Sequence, residues 1–544
     1  MRKRLSGYCL LIIIASFSQQ LDSQTTYKVG DGQSYTSIGS VPWENLVAGD
    51  SVKIYWRSTP YKEKWVINAA GLQDKWITIT GIPASSGQLP IIDGQDATTR
   101  SQLNYWNEER GVIKIGGSNS PPDGMPAYIR VENLEIRNGR SIYSFTGRSG
   151  ITTYSSNAAA IYLEKGENIV VRNCILTNCG NGFFAASASK NVVVESCYIH
   201  NNGNTSSIYE HNNYTESQGI LFQYNHFGPL LAGASGNNLK DRSAGTIIRY
   251  NWIESGNRQL DLVDSDNPEL NGLTEYRTTW VYGNILIEPD GAGNSQICHY
   301  GGDSGNESMY RKGTLYFFNN TVVSTRTGNT TLFRLSTNSE TANCFNNIVY
   351  VTATGERLAM LDSYGILNIQ NNWMKADWVN SHSGLSGSLN DLGGNISGSM
   401  PGFADETEQD FHLIPASVCI DKGTSVPGGY PVNYEYVKHL RKEERNISGI
   451  IDLGAYEYSL STLIRKRAWY DLIIFPNPGH ERVFVKCPLN IYTMSLLDNS
   501  GRELFLVTTP DNQTNIDITR YRKGIYFLKF QTEAGIIVRK LIID

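Results

Sequence analysis

One short phrase, an extended run closed by asparagine and followed by apolar residues, returns six times through the middle of this chain. It reads Phe222-Gln-Tyr-Asn225, Ile248-Arg-Tyr-Asn251, Val281-Tyr-Gly-Asn284, Phe317-Phe-Asn-Asn320, Cys344-Phe-Asn-Asn347 and Ile369-Gln-Asn-Asn372, in steps of 26, 33, 36, 27 and 25 residues. A period in the twenties, stretched by insertions, belongs to stacked coils, none of which can bury an apolar face alone. Short β-branched runs without a 3.6-residue pattern make those coils of strand. The sequence therefore predicts an all-β chain built on a right-handed parallel β-helix solenoid. Asn225, Asn251, Asn284, Asn320 and Asn347 are expected to be buried, each bonding its amide along the stack.

A second column precedes the asparagines. Thr215-Glu-Ser217, Asp241-Arg-Ser243, Val263-Asp-Ser265, Gly302-Asp-Ser304, Thr337-Asn-Ser339 and Leu361-Asp-Ser363 each close a short run with serine. The residue before the serine then forms a stripe of Glu216, Arg242, Asp264, Asp303, Asn338 and Asp362. Tyr214 and Lys240 lie two positions earlier, on the same side by period-two alternation. Such a stripe is either solvated exterior or a glycan-binding groove, and the mixed charges on neighbouring coils favour the groove.

At 544 residues the chain has room for one large domain and a small one. A net charge of −5 and the lack of any basic block argue against nucleic acid as a partner. Arg2-Lys3-Arg4 followed by the apolar Cys9–Ser16 reads as a signal peptide over residues 1–23, too short to span a bilayer. Seven cysteines remain beyond it, without C-x-x-C spacing. Cys174 and Cys197 follow Asn173 and Ser196 at the asparagine corner and are expected as buried free thiols, with a disulfide the alternative in an exported protein.

The β-helix domain is expected over 24–459. Its cap and first coils fall at about 24–110, its regular coils run from Ile129 to about Trp373, and a Gly/Ser-rich interruption occupies about 380–400. Phe411-His-Leu413 and Ile451–Tyr458 read as closing strands. A linker (460–470) leads to a segment (471–544) of short strands and turns, which suits an antiparallel Ig-like sandwich. Ile474-Phe-Pro-Asn-Pro478, Gly524-Ile-Tyr-Phe-Leu528 and the final Arg539-Lys-Leu-Ile-Ile543 carry a match. This segment resembles the C-terminal sorting domain of the type IX secretion system of Bacteroidetes-type bacteria. The resemblance implies recognition by outer-membrane secretion machinery and delivery to the cell surface or beyond. The protein is expected to act as a monomer.

The chemistry is read by elimination and by one local likeness. The Gly-His-Gly and Arg-Ile-Lys phrases of pectin-type hydrolases are absent, as is the Trp-Ile-Asp-His phrase of the commonest pectate lyases. Asn238-Leu-Lys-Asp-Arg-Ser-Ala-Gly-Thr-Ile-Ile-Arg-Tyr-Asn251 resembles the coil of the chondroitinase B and alginate lyase family that bears Lys-Ser before an Arg-Tyr-Asn strand. Aligned on the serine, the family's lysine falls on Arg242, with Lys240 two residues earlier. Its Leu-Arg-His-Gly on the next coil is replaced here by Gln259-Leu-Asp-Leu-Val-Asp-Ser265.

The likeness implies β-elimination on an acidic, uronate-containing polysaccharide. Lys240, Arg242, Arg258, His299, His211 and Tyr214 are the catalytic candidates, and Glu216, Tyr300, Asp303, Arg326 and Arg334 are the substrate-binding ones. Arginines suit a sugar carboxylate or sulfate by bidentate contact. His299 lies in Cys298-His-Tyr-Gly-Gly-Asp303, whose glycines are expected to leave it open to ligand. Asp261, Asp264 and Asp266 are candidate calcium ligands, or turn formers before Asn267-Pro268. Two other functions stay open: a glycoside hydrolase using two of Asp264, Asp303 and Glu216, and a non-catalytic glycan-binding surface protein.

Overall fold

The computed structural model describes residues 24–459, 472–487, 490–508, 513–532 and 535–544. The expected signal peptide and linker lie outside the described residues. The body is a parallel β-helix. Eleven strands, from Ile91–Asp93 through Trp252–Glu254 to Ile396–Gly398, stack in parallel to form one face. A longer sheet forms the rest of each coil. There Leu239–Asp241 and Ala244–Arg249 pair with Asn213–Gln223 on one side, and with Leu260–Leu262 and Thr278–Tyr282 on the other.

Alternation aims one set of side chains into the bore. Phe222, Ile248, Val281, Phe317, Cys344 and Ile369 are in register on six successive coils and are all buried. Burying each such side chain stabilises the stack by about 1.5–3 kcal/mol before entropy. The long steps between asparagines arise where loops part the strands. Val263–Arg277 and Gly301–Gly313 lie between strands that the coils of Ala159–Arg172 and Asn181–Glu195 run without a break.

The asparagine ladder forms as expected. Asn225, Asn251, Asn284, Asn320, Asn347 and Asn372 are buried, and each side-chain amide donates to the next asparagine's Oδ1 at 2.9–3.1 Å. The bend itself belongs to the residue before. Tyr224, Tyr250, Asn319, Asn346 and Asn371 all have φ between 49 and 58°. Asparagine tolerates this left-handed region better than most side chains. Hence the Asn-Asn pairs of the late coils: the first turns the chain and the second bonds along the stack.

Three sequence expectations are corrected here. Asn173 and Ser196 occupy the bend, with φ of 48 and 52°, so Cys174 and Cys197 take the ladder position itself. The amide of Cys197 donates to Asn225 Oδ1 at 3.0 Å, and Cys174, Cys179, Cys197, Cys298, Cys344 and Cys419 are buried free thiols. The first coils lie within 24–110 as expected, with Thr26–Val29 pairing in parallel with Ser51–Tyr55, but the coils do not stop at Trp373. The Gly/Ser-rich stretch is a further coil: Ser388–Asp391 and Ile396–Gly398 extend both sheets, and Asn395 is a further rung. Finally, Ile451–Tyr458 is not a strand. It packs Leu453 and Ala455 on the coils and holds Ala455 N against Thr321 Oγ1 at 3.0 Å.

Two antiparallel sheets form the C-terminal unit. Ile473–Phe475, Arg482–Lys486 and Gln513–Asp517 make one, and Ile491–Leu497, Glu503–Thr508, Gly524–Thr532 and Gly535–Ile543 the other. Val483, Val485, Leu496, Leu528, Phe530 and Leu541 fill the space between them.

Candidate functional site

Parallel register builds the site. Tyr162, Phe184, Tyr214, Lys240, Asp261, His299 and Arg334 are successive partners across seven coils, each the outward-facing residue of its strand. The inward neighbours Leu239, Leu260, Cys298 and Phe333 lie in the core. Tyr214 and Lys240 thus share a side as expected. The serine column keeps register only from Ser217 to Ser243, whose Oγ accepts from Ser217 N at 2.7 Å. From the next coil the column continues through Asp261 and His299.

Lys240 is the hub. Its ammonium donates to Asp261 Oδ2 at 2.6 Å and to Asp303 Oδ2 at 2.5 Å. Arg242 holds the other oxygen of Asp303 at 2.9 Å and packs its guanidinium 5.7 Å from the Tyr214 ring centre. Asp261 also accepts from Asn237 at 2.7 Å and faces His299 Nδ1 at 2.8 Å. Burial opposes ionisation of both aspartates. Lys240 and His299 around Asp261, and Lys240 and Arg242 around Asp303, prevail and hold both carboxyls below the usual range.

The two histidines differ. His211 is buried, and its Nδ1 accepts from Asn237 N at 2.8 Å, which leaves the proton on Nε2. Burial, with Lys240 adding to it, lowers His211 to about 3, so it is neutral. His299 is 2% exposed, and the glycines after it do not open it to ligand as expected. They let the backbone approach Ser336 instead. Gly301 has φ +132°, and a Cβ there would sit 2.5 Å from Ser336 Oγ. That hydroxyl lies 3.0 Å from His299 Nε2. Sequence reasoning missed Ser336, although it stands two residues after Arg334 and so on the same side of the chain.

Other candidates are placed elsewhere. Tyr300 is wholly buried in the bore, because alternation turns it opposite to His299. Arg326 bonds Glu288 Oε1 at 2.8 Å and the backbone of Ala292, bracing a loop. Asp264 is fully buried and anchors the next loop, accepting from Asp303 N at 2.8 Å and from the Ser304 hydroxyl. Glu216 accepts from the Ser265 hydroxyl, and Asp266 is exposed. Asp261, Asp264 and Asp266 therefore do not converge as a calcium cage, since two of them are occupied by cationic or loop partners. Among the described residues, the group of acids and histidine whose ligand atoms converge is His412, Glu435 and Glu443, on the closing hairpins.

The open end of the cluster is cationic. Arg258 bonds Gln296 Oε1 at 2.7 Å, and Gln296 in turn donates to Asp362 at 3.0 Å. Arg334 is exposed and pairs in register with His299, whose protonation its charge and that of Arg258 both oppose. Toward the other end lies an aromatic run, with Tyr214 stacked on Phe184 at 5.0 Å and Arg110 over Tyr162 and Phe184.

Residues 106–274 match the family model described as right handed beta helix region, and residues 473–544 match that of the secretion system C-terminal sorting domain. No curated protein matches the chain. Among solved structures, pectate lyase Pel9A is 11% identical with a TM-score of 0.44, covering 80% of this chain and 97% of that one. An alginate lyase from Paenibacillus sp. str. FPU-7 is 10% identical with a TM-score of 0.41, over 64% and 95%. The surface adhesin PfbA of Streptococcus pneumoniae is 10% identical with a TM-score of 0.37, over 69% and 92%. The chain is a right-handed parallel β-helix protein whose C-terminal sorting domain directs it through the type IX secretion system to the cell surface or the extracellular space.

Proposed function

We propose that the groove binds a uronate-containing polysaccharide and cleaves it by β-elimination. One observation carries this reading. The two carboxylates at the hub are ion-paired to Lys240 and Arg242, while the exposed Arg334 lies in register with His299 on the coil beyond. Hydrolysis by paired carboxyls needs one of them protonated as the acid. Of Asp264, Asp303 and Glu216, Asp303 is pushed the other way and Asp264 is buried and bonded to the Asp303–Ser304 loop. Arg258 and Arg334, whose charges repel, suit a substrate carboxylate between them.

The chemistry follows from what a uronate requires. Its C5 proton becomes acidic only when the adjacent carboxylate is neutralised and the enolate-like charge is stabilised. Arg258 and Arg334 neutralise the carboxylate, and Arg242 extends the field. Lys240 is the groove's amine. It takes the C5 proton as the base after giving a proton to solvent, while its bond to the partly exposed Asp303 holds it in place in the groove. Tyr214, whose hydroxyl is raised by burial and so remains protonated at neutral pH, donates to the departing oxygen. No step requires calcium.

The test is a screen of uronate-containing glycans read for unsaturated product at ultraviolet wavelengths, with and without chelator. Lys240→Ala and Arg242→Ala should each lower turnover at least about 100-fold. Reducing ends without that absorbance would replace elimination by hydrolysis. Near-normal turnover in both variants would remove this site.

A further inference from the structure

Ser336, His299 and Asp261 form a chain that β-elimination does not use. Ser336 Oγ is 3.0 Å from His299 Nε2, and His299 Nδ1 is 2.8 Å from Asp261 Oδ1. The protons can be assigned. Asp261 is ionised and can only accept, so Nδ1 carries a proton and donates to it. Burial, aided by Arg258 and Arg334, lowers His299 from its ordinary value, so the ring is neutral at pH 7 and Nε2 bears a lone pair. The proton between Ser336 and Nε2 must then belong to the hydroxyl. The same hydroxyl can also donate to Gly302 O at 2.9 Å and to Tyr300 O at 3.3 Å, so its proton has three acceptors in reach, and it accepts from Gly302 N at 2.8 Å.

A hydroxyl aimed at a neutral imidazole, itself fixed by a buried carboxylate, is the arrangement of an activated serine. His299 and Asp261 are almost fully buried, whereas Ser336 is half-buried and stands beside exposed Arg334. Of the three residues, Ser336 is the one partly open to solvent. We propose that Ser336, His299 and Asp261 act as a nucleophilic relay that hydrolyses O-acyl esters carried by the glycan in the groove.

In the first step Ser336 Oγ bonds to the acyl carbon as its proton passes to His299 Nε2. Exposed Arg334, two residues before Ser336, is the cation available to the resulting oxyanion. The bond from the acyl carbon to the sugar oxygen then breaks, and the imidazolium returns its proton to that oxygen. Water, deprotonated by the same imidazole, attacks the acyl-serine, releasing the carboxylic acid and restoring the hydroxyl. The relay takes from the preceding section only that a glycan occupies the groove, and a covalent probe tests it without any glycan.

The mature full-length protein is treated with a fluorophosphonate, which phosphonylates activated serines, and the modified peptide is located by mass spectrometry. Hydrolysis of 4-nitrophenyl acetate is followed in parallel. Labelling is expected at Ser336, absent in Ser336→Ala and slowed at least about 100-fold in His299→Asn, the scale of losing a general base. Variants are compared only where circular dichroism and melting match the parent. Asp261→Asn, which keeps the size of the side chain, should slow labelling and flatten its pH dependence. An unlabelled parent, or equal labelling of parent and Ser336→Ala, would overturn the relay.

Discussion

Replacing Asn251 by leucine tests whether the ladder holds the coils together. Asn251 Oδ1 accepts from Asn225 N and from Asn225 Nδ2, both at 3.0 Å. Its Nδ2 donates to Phe222 O at 3.0 Å, Arg249 O at 2.9 Å and Asn284 Oδ1 at 2.9 Å. Leucine has the same number of side-chain heavy atoms, though more bulk, and loses all five. The Asn225 N–H and amide are left buried without that acceptor, where no water reaches them. A buried group stripped of its partner costs about 1–3 kcal/mol, so the change should cost about 3–6 kcal/mol, less what the coil recovers by relaxing. Melting temperature is a blunt readout. Unfolding entropy grows with chain length, so a body of this size moves only about 1 °C per kcal/mol. Hydrogen exchange of the Asn225 amide is sharper, because coils can open locally. Its protection should fall at least about 100-fold, while amides in the C-terminal sandwich stay unchanged. Unaltered protection at Asn225 would refute the idea that the ladder, rather than the apolar bore, fixes the corner.

Three further outcomes are expected. Glu435 is buried and raised to about 8, mainly by burial, with Arg445 opposing and Glu443 and Glu457 adding to it. The folded state therefore keeps a proton that the unfolded chain releases near pH 4–5, and stability should fall as pH rises from about 5 to 8. In Glu435→Gln the urea midpoint should lose that decline, and an unchanged decline would assign it to other groups. Asp303→Asn should lower β-elimination about as far as Lys240→Ala, because Lys240 and Arg242 lose the carboxylate that positions them both; full activity would exclude the proposed step. Deleting residues 471–544 should leave the protein in the periplasm, and normal surface display or release of the truncated chain would show that another signal directs export.

The repeat was legible because a solenoid is nearly one-dimensional. Each coil meets only its neighbours, so the period, the apolar bore and the ladder asparagines recur along the sequence as they recur in space. Tyr214 above Lys240 could likewise be read by period-two counting. The sorting domain was legible from its local phrases. What the sequence could not give was register across insertions of unequal length. The loops Val263–Arg277 and Gly301–Gly313 shift the count between coils, so the serine column drifted while the backbone pairing carried on through Asp261, His299 and Arg334. That pairing alone sent Tyr300 inward, gave Asp264 to a loop and put Lys240 between two carboxylates. It also laid Ser336, 37 residues along the chain from His299, against the imidazole. Strand composition and period are set by local chemistry, whereas contacts between side chains of different coils depend on the length of everything between them, and only the stacked structure resolves that.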